Sequence, residues 1–435
     1  MTLVEGLDRT TRLCRDYVRQ EVTSEEICAA FASCGVLCVA DERNLSSHAG
    51  QTALMTTISL LLRMGVSIGV EIPRVGVLKP QPPFTGEFLR DSVLSASNIF
   101  MPGASVQTRD QTAPRIVIAF GDSDVRMNGV PVWRLGGGDW KGELNCRGHA
   151  VPAFSGDWPI GAMVSATLAA GEVFKHVLRG LPFVDPAYMQ FFEESPWVEW
   201  DFGAGPAPKS VISFGEVDVI SAGAITQAAL YCLLRLPHSR LRGRIFDSDF
   251  TDLSNLNRNS LSTSLDVGVA KVLVVSRRCS PAFDLKPVDS RFNGPEPGTT
   301  LAPRVLVGVD DIPSRWTIQR YAPAWVAVSG TSHMNVSSSQ HNPNEPCTGC
   351  LHPVDDQATA NVIPTVSHVS FWAGLSMAVR LIRETLGSPY PLEKQHLWLT
   401  PFRMHERHAA KWYPIPARRD CPVGCPASRG LPTAA

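Results

Sequence analysis

The chain has 435 residues, more than one ordinary domain of roughly 100–200 residues needs, so two or three domains are expected. A formal net charge of -1 argues against a partner recognised mainly by bulk charge, such as nucleic acid or an anionic membrane. No run approaches the ~20 uninterrupted apolar residues of a membrane helix, and the charged N-terminus lacks a signal-peptide core, so a cytoplasmic location is expected.

A polar helical segment opens the chain. The valine-rich run GVLCVADE (35–42) has the length of a buried strand, AGQTALMTTISLLLRMG (49–65) that of a helix closed by Gly65, and VSIGVEIP (66–73) that of a second strand. Strand, helix, strand in this order implies a crossover connection and a parallel sheet. RIVIAF (115–120) is a further strand, and 159–180 a long apolar helix. Residues 181–210 mix proline, glycine, acids and aromatics and read as a connection. The plan then repeats: strand VDVISAG (217–223), helix ITQAALYCLLRLP (225–237), strands GRIFDSDF (243–250), RVLVGVDD (304–311) and AWVAVSG (324–330), and a closing helix over 369–387. The expected fold class is therefore α/β, with two Rossmann-like domains built on largely parallel sheets, over 1–180 and 211–435.

Open parallel sheets bind ligands at the carboxyl ends of their strands, and the polar clusters of the second half fall at such ends. Ser221-Ala-Gly223 has the spacing of a phosphate loop that has lost two of its three glycines; Gly223 would let a phosphate approach the backbone at a helix N-terminus. Alone it is no more than a strand-to-helix turn. Asp247-Ser-Asp249 follows, then Ser-Asn255-Leu-Asn-Arg258. A carboxylate at a strand end suits ribose hydroxyls, and an arginine fork suits phosphate oxygens.

Asp-x-Asp followed by Ser-Asn-Leu-Asn-Arg resembles the signature of ubiquitin-activating enzymes and their bacterial relatives in thiamine and molybdopterin biosynthesis. The likeness continues through Lys271, through Asp310 and Arg315, and through Cys347-x-x-Cys350 before a closing helix. It implies ATP-dependent adenylation of a carboxylate. Asp247 would hold the ribose, and Asn255, Arg258 and Lys271 the triphosphate. Asp310 would hold Mg²⁺, and Asp249 would support the loop. Tyr17-Val-Arg19-Gln20 resembles the family's N-terminal Tyr-x-Arg-Gln, which makes Arg19 the expected arginine finger of the first domain. That domain lacks the Asp-x-Asp and the Asn-Leu-x-Arg and is expected to be a nucleotide-incompetent copy; the active domain is the second.

The eleven cysteines include two pairs, Cys347/Cys350 and Cys421/Cys425. Two such pairs suit a four-thiolate zinc site, structural in the family, although Cys421-x-x-x-Cys425 is one residue wider than usual. The other reading makes Cys347 or Cys350 reactive. Conjugating relatives carry an acyl-accepting cysteine between the Cys-x-x-Cys and the closing helix, and here that stretch has none. Either no enzyme thioester forms, or the nucleophile lies elsewhere, Cys279 being one site, or zinc is absent.

The expected substrate is a ubiquitin-like protein with a free C-terminal carboxylate, with transfer to a conjugating enzyme and a homo-oligomeric state both open. A ribosomal peptide substrate and a non-catalytic scaffold that binds a ubiquitin-like protein are the alternatives.

Overall fold

The computed structural model describes residues 2–18, 21–125, 127–181, 184–203, 206–208, 210–295, 299–354, 363–387, 395–406 and 408–429. Arg19 and the loop 355–362 lie outside them. The first sheet contains β1 (Gly35–Val39), β2 (Ser67–Glu71), β3 (Val106–Thr108), β4 (Ile116–Phe120), β5 (Val132–Gly138), β6 (Lys141–Asn145) and β7 (Trp197–Asp201). Its order is β3-β2-β1-β4-β5-β6-β7, parallel through β5 and antiparallel thereafter. The second contains β8 (Ile212–Ile220), β9 (Ser239–Asp247), β10 (Phe283–Asp289), β11 (Arg304–Val307), β12 (Trp325–Ser332), β13 (Asn335–His341), β14 (His396–Leu399) and β15 (Ala410–Tyr413). Its order is β10-β9-β8-β11-β12-β13-β14-β15, again parallel for five strands and then antiparallel. The architecture is thus α/β in two units of one plan, and in each the strand order reverses beside the first strand, at β1/β4 and at β8/β11. The stretch expected to connect the halves supplies β7, which pairs with β6.

Four helices fill the seam: His48–Leu62, Ile160–Gly180, Ala224–Leu234 and Ser367–Thr385. None carries a continuous polar face, and every residue of His48–Leu62 is buried. A helix apolar all round must be covered on all sides, and here the two halves cover each other's.

Two arginines tie this seam, at equivalent places. Each follows the helix that leaves the first strand of its sheet: Arg63 caps His48–Leu62 and Arg235 caps Ala224–Leu234. Arg63 crosses into the second half and donates to the carbonyls of Leu256 (2.7 Å), Ser260 (3.2 Å) and Ser262 (2.8 Å). Arg235 crosses the other way and donates to Gln81 (3.3 Å) and Pro82 (3.0 Å). Burial pulls both guanidinium groups below their usual range, Arg63 to about 9 and Arg235 to about 10. Both remain cationic at neutral pH. His48 Nε2 lies 2.7 Å from the Arg235 carbonyl, and Ser367 Oγ donates to Leu60 O at 3.0 Å.

Removing Arg63 strands three buried carbonyls, at ~1–3 kcal/mol each. Arg63→Met is therefore expected to cost at least ~3 kcal/mol in urea unfolding, with Arg63→Lys between it and the parent. A second expectation concerns acid. Burial holds His48 and His341 down at about 4, and His368 and His396 at about 3. The unfolded chain takes up these protons first, near pH ~6.5. The associated stability is present above that pH and is lost as pH falls toward the folded values. The urea midpoint should drop steeply from pH ~6.5 to ~4. His368, whose two ring nitrogens have no hydrogen-bond partner among the described residues and whose ring packs on Phe174 and Phe402, is the residue to change: His368→Phe should flatten the drop.

Candidate functional site

The reversal point of the second sheet opens into a cavity of about 440 Å³, within the ~300–1,000 Å³ of small-molecule sites. Its floor is the turn after β8. Ser221 takes φ 82°, a left-handed conformation normally left to glycine, and its Oγ accepts from the Gly223 amide at 3.0 Å. The glycine-loop geometry thus persists where the glycine has gone. Gly223 precedes Ala224–Leu234 and no side chain caps that helix, so its first turn faces the cavity without a competing acceptor from the cap position.

Asp247 ends β9. Its Oδ2 accepts from the Ala222 amide at 2.7 Å and its Oδ1 from the Asp249 amide at 2.8 Å, which fixes the carboxylate and leaves lone pairs for a ligand hydroxyl. Asp249 pairs with Lys271 at 2.7 Å, and the Lys271 amide donates to the Asp249 carbonyl at 2.9 Å. Asp252 caps the short turn Leu253–Asn255, in which Asn255 Oδ1 accepts from the Asp252 amide at 3.1 Å. Arg258 Nη1 donates to Ser254 O at 2.6 Å and to Asn257 Oδ1 at 2.8 Å, which anchors one edge of the guanidinium. Asn257 in turn donates to Thr10 Oγ1 of the first half at 3.0 Å.

Asp310 follows β11 on the opposite wall. Arg315 Nε and Nη2 donate to Val309 O at 3.1 and 3.0 Å and hold that turn closed. A Cβ at Gly330 would stand 2.8 Å from Arg315 Nη2 and would push the guanidinium from this position. Asp311 accepts from the Ser314 amide at 2.8 Å, caps Ile312–Arg320, and pairs with Arg291 at 3.2 Å.

Gly223, Asp247, Asp249, Asn255, Arg258, Lys271 and Asp310 all line this one cavity. Arg19 lies outside the described residues. The arginine that reaches the cavity from the first half is Arg9, on helix Asp8–Arg15, with Nη1 on Ile363 O at 3.1 Å. Burial lowers Arg258 to about 10, and the like charge of Arg9 adds to this while Asp310 opposes it. Arg9 is likewise lowered by burial, against the pull of Asp8 and of Asp310 among others. The two arginines and Asp310 therefore share one electrostatic neighbourhood. Sequence spacing gave no sign of Arg9, because the tertiary packing of the first helices delivers it.

The matching place in the first sheet is filled. Asn44 Nδ2 donates to Asp41 (2.9 Å) and Asp122 (3.1 Å), and its Oδ1 accepts from the Phe154 amide at 3.0 Å. Gly121, at φ 59°, abuts it: a Cβ there would lie 2.0 Å from Asn44 Oδ1. The carboxylate that ends β2, Glu71, pairs with Arg109 at 2.6 Å.

Cys347, Cys350, Cys421 and Cys425 bring their sulfurs within 4.8 Å of one another, all buried and none in a disulfide. The Cys347–Cys421 and Cys350–Cys425 sulfurs are 3.4 and 3.6 Å apart. Four thiolates at ~2.3 Å around a tetrahedral zinc would lie ~3.8 Å apart, so the cluster fits that ion, and the wider spacing of the second pair is no obstacle. The Cys350 thiol is pulled down, chiefly by its hydrogen bond from Cys347. The cluster braces the helix behind Asp310: Arg320 donates to Pro422 O at 3.0 Å, and Trp316 Nε1 to His352 O at 2.9 Å. Cys279, weighed as a nucleophile, is wholly buried, and burial pushes its thiol up; it is a core residue. All eleven cysteines are buried. No helix among the described residues is long and apolar enough to cross a membrane.

Fold and site together define a tandem α/β protein with one crevice lined by cations and carboxylates and one plugged. Residues 35–184, within the first unit, match the family described as the BilD N-terminal domain. The uncharacterized protein y4jF of Sinorhizobium fredii (strain NBRC 101917 / NGR234) is 25% identical over 229 residues, which is 50% of this chain and 43% of that protein. The chain thus spans less than half the length of that relative. The crystal structure of selenomethionine PaaA is 16% identical, covering 46% of this chain and 64% of its own, at a TM-score of 0.34.

If the thiolates hold zinc, purified protein should contain about one zinc per chain, and Cys347→Ser/Cys350→Ser should lose it. Elemental analysis finding metal-free parent protein would remove the site.

Proposed function

We propose that the chain is an ATP-dependent adenylating enzyme that activates the C-terminal carboxylate of a ubiquitin-like protein. The observation that carries this reading is the convergence of Asp247, Arg258, Lys271, Asp310 and Arg9 on a single cavity at the reversal point of the second sheet. In this reading residues 211–435 form the adenylating domain and residues 1–180 a nucleotide-incompetent partner, joined through 181–210, in a cytoplasmic protein.

Asp247 accepts the ribose hydroxyls. Lys271, Arg258 and Arg9 neutralise the triphosphate, and Asn255 and the turn at Gly223 orient it. A carboxylate oxygen of the substrate attacks the α-phosphorus, a new oxygen–phosphorus bond forms, and the bond to the bridging oxygen breaks with departure of pyrophosphate. The attacking group is already ionised, so no general base is required, and the residues act by alignment and charge neutralisation. Asp310 would hold Mg²⁺, which supplies further neutralisation of phosphate charge when bound.

With all eleven cysteines buried, the structure offers no exposed thiol for an enzyme thioester. This favours release of the acyl-adenylate to an acceptor outside this chain, whether a conjugating enzyme or another nucleophile. The same observation supports a second reading, adenylation of a ribosomal peptide, which needs no thioester. A scaffold without catalysis would have little use for the complete set of cavity charges.

ATP–pyrophosphate exchange is the test. Exchange is expected in the presence of a ubiquitin-like protein or peptide with a free C-terminus. Asp310→Ala should abolish it with the fold retained, and Arg9→Ala should slow it at least ~tenfold, the scale of one lost charge contact. A normal rate in Asp310→Ala would refute the assigned role. Absence of both exchange and ATP binding would favour the scaffold.

A further inference from the structure

A second concavity, of about 660 Å³, lies where the two halves meet at the N-terminal ends of β9 and β10. Pro80, Pro82 and Phe84 of the first half and Leu236, Pro237 and Pro281 of the second give it apolar walls. Val211 adds an apolar side chain at the rim, 56% exposed. The floor is firm, because the Pro82 carbonyl accepts from buried Arg235.

The rim is cationic. Lys79, Arg240, Arg277 and Arg278 stand on it with His238, and no described lining residue is acidic. Lys79 and Arg278 have partners outside the lining, Asp157 at 3.2 Å and Asp266 at 3.1 Å. Arg277 is exposed, and the hydrogen bond it makes runs back to Leu273 O of its own helix at 3.2 Å. Arg240 is exposed and pairs with no carboxylate among the described residues. Exposed arginines without counter-charge beside apolar walls are an arrangement a folded chain gains little from on its own.

We propose that this groove docks an acidic peptide segment of a partner protein, one in which carboxylates alternate with apolar side chains. Arg240 and Arg277, neither paired with a carboxylate among the described residues, supply forked donors for carboxylates. The proline, leucine and phenylalanine walls supply the part that a phosphate backbone could not use, which selects peptide over nucleic acid. The chain's net charge of -1 also provides no broad basic field for a polyanion. Arg240 is the second residue of β9 and Asp247 its last, roughly 23 Å along the strand, so an occupant of the groove leaves the cavity at Asp247 open. The inference stands apart from the adenylation reading.

The test uses the full chain and a fluorescein-labelled peptide of repeated Glu-Leu-Asp-Phe, followed by anisotropy. Binding is expected, weakened at least tenfold by Arg240→Glu/Arg277→Glu and weakened by salt, since exposed charges are screened beyond ~8 Å at physiological ionic strength. A polyglutamate of equal length should bind more weakly than the mixed peptide. The double variant should keep the parent's circular dichroism and thermal midpoint; if it does not, Arg240→Gln/Arg277→Gln replaces it with the same expected direction. Failure of the mixed peptide to bind the parent, or equal binding by the folded variant, overturns the proposal. So does tighter binding of oligothymidylate lost in the same variant, which would make the groove a nucleic-acid surface.

Discussion

The site depends on an exchange of buried arginines between the two halves. Arg63 donates to Leu256, Ser260 and Ser262, carbonyls of the very loop that carries Asn255 and Arg258. Arg235 returns the contact by holding Gln81 and Pro82. A guanidinium out of water is costly unless its donors are met, and backbone carbonyls meet them without adding a second charge to bury. The consequence is directional. The cavity-lining loop of the second half is shaped by a residue of the first, and the same packing brings Thr10 to Asn257 and Arg9 to the cavity. Neither half would present the complete site alone.

How much of this could be read in the sequence follows from where each residue's neighbours lie along the chain. Asp247, Asp249, Asn255, Arg258 and Lys271 occur within one strand–loop–helix passage, and they meet because local structure brings them together. Asp310 follows β11, the strand adjacent to β8, and the structure puts it at the carboxyl end of the sheet, on the cavity. Arg9 was missed because it is 354 positions away from its carbonyl partner at Ile363, and helix packing, which has no short-range signal, carries it there. The strands β13 to β15 were missed for another reason: Asn335–His341 is a run of serines and polar residues without the alternation of a half-buried strand. β7 was hidden among prolines and acids in a stretch whose composition reads as a connection. The cysteine pairs were legible because ligand spacing is itself a sequence property.

The two reversal points show how one plan gives an open and a closed site. Both sheets order five parallel strands alike. In the first, the segment after β1 begins with a short helical turn, Glu42–Leu45, and drops Asn44 into the crevice, where three side chains and a backbone amide satisfy it. In the second, the chain turns through Ser221 and enters the helix directly. A plug that forms its own hydrogen bonds is stable without a ligand. The open crevice instead leaves its charged groups facing one another, and the segments around the four-cysteine cluster hold helix Ile312–Arg320 behind its acidic wall.

That residual tension in the open crevice is informative. Burial lowers Arg258 and the like charge of Arg9 adds to this, while Asp310, Asp8 and Asp252 oppose it. Lys271 is different: Asp249 neutralises it at 2.7 Å, yet Asp249 is itself two-thirds exposed, its side chain 67% accessible, so the pair is a weak, solvent-screened one that a stronger anion can displace. A site of this kind holds cations and carboxylates in fixed positions before any ligand enters. Its donors need not move to meet a ligand, which is the property of a preorganised site. The lining sets four cations, Arg9, Arg258, Lys271 and Arg291, against four carboxylates, Asp247, Asp249, Asp310 and Asp311, so its pattern of fixed charges, rather than a net charge, is what a ligand must match.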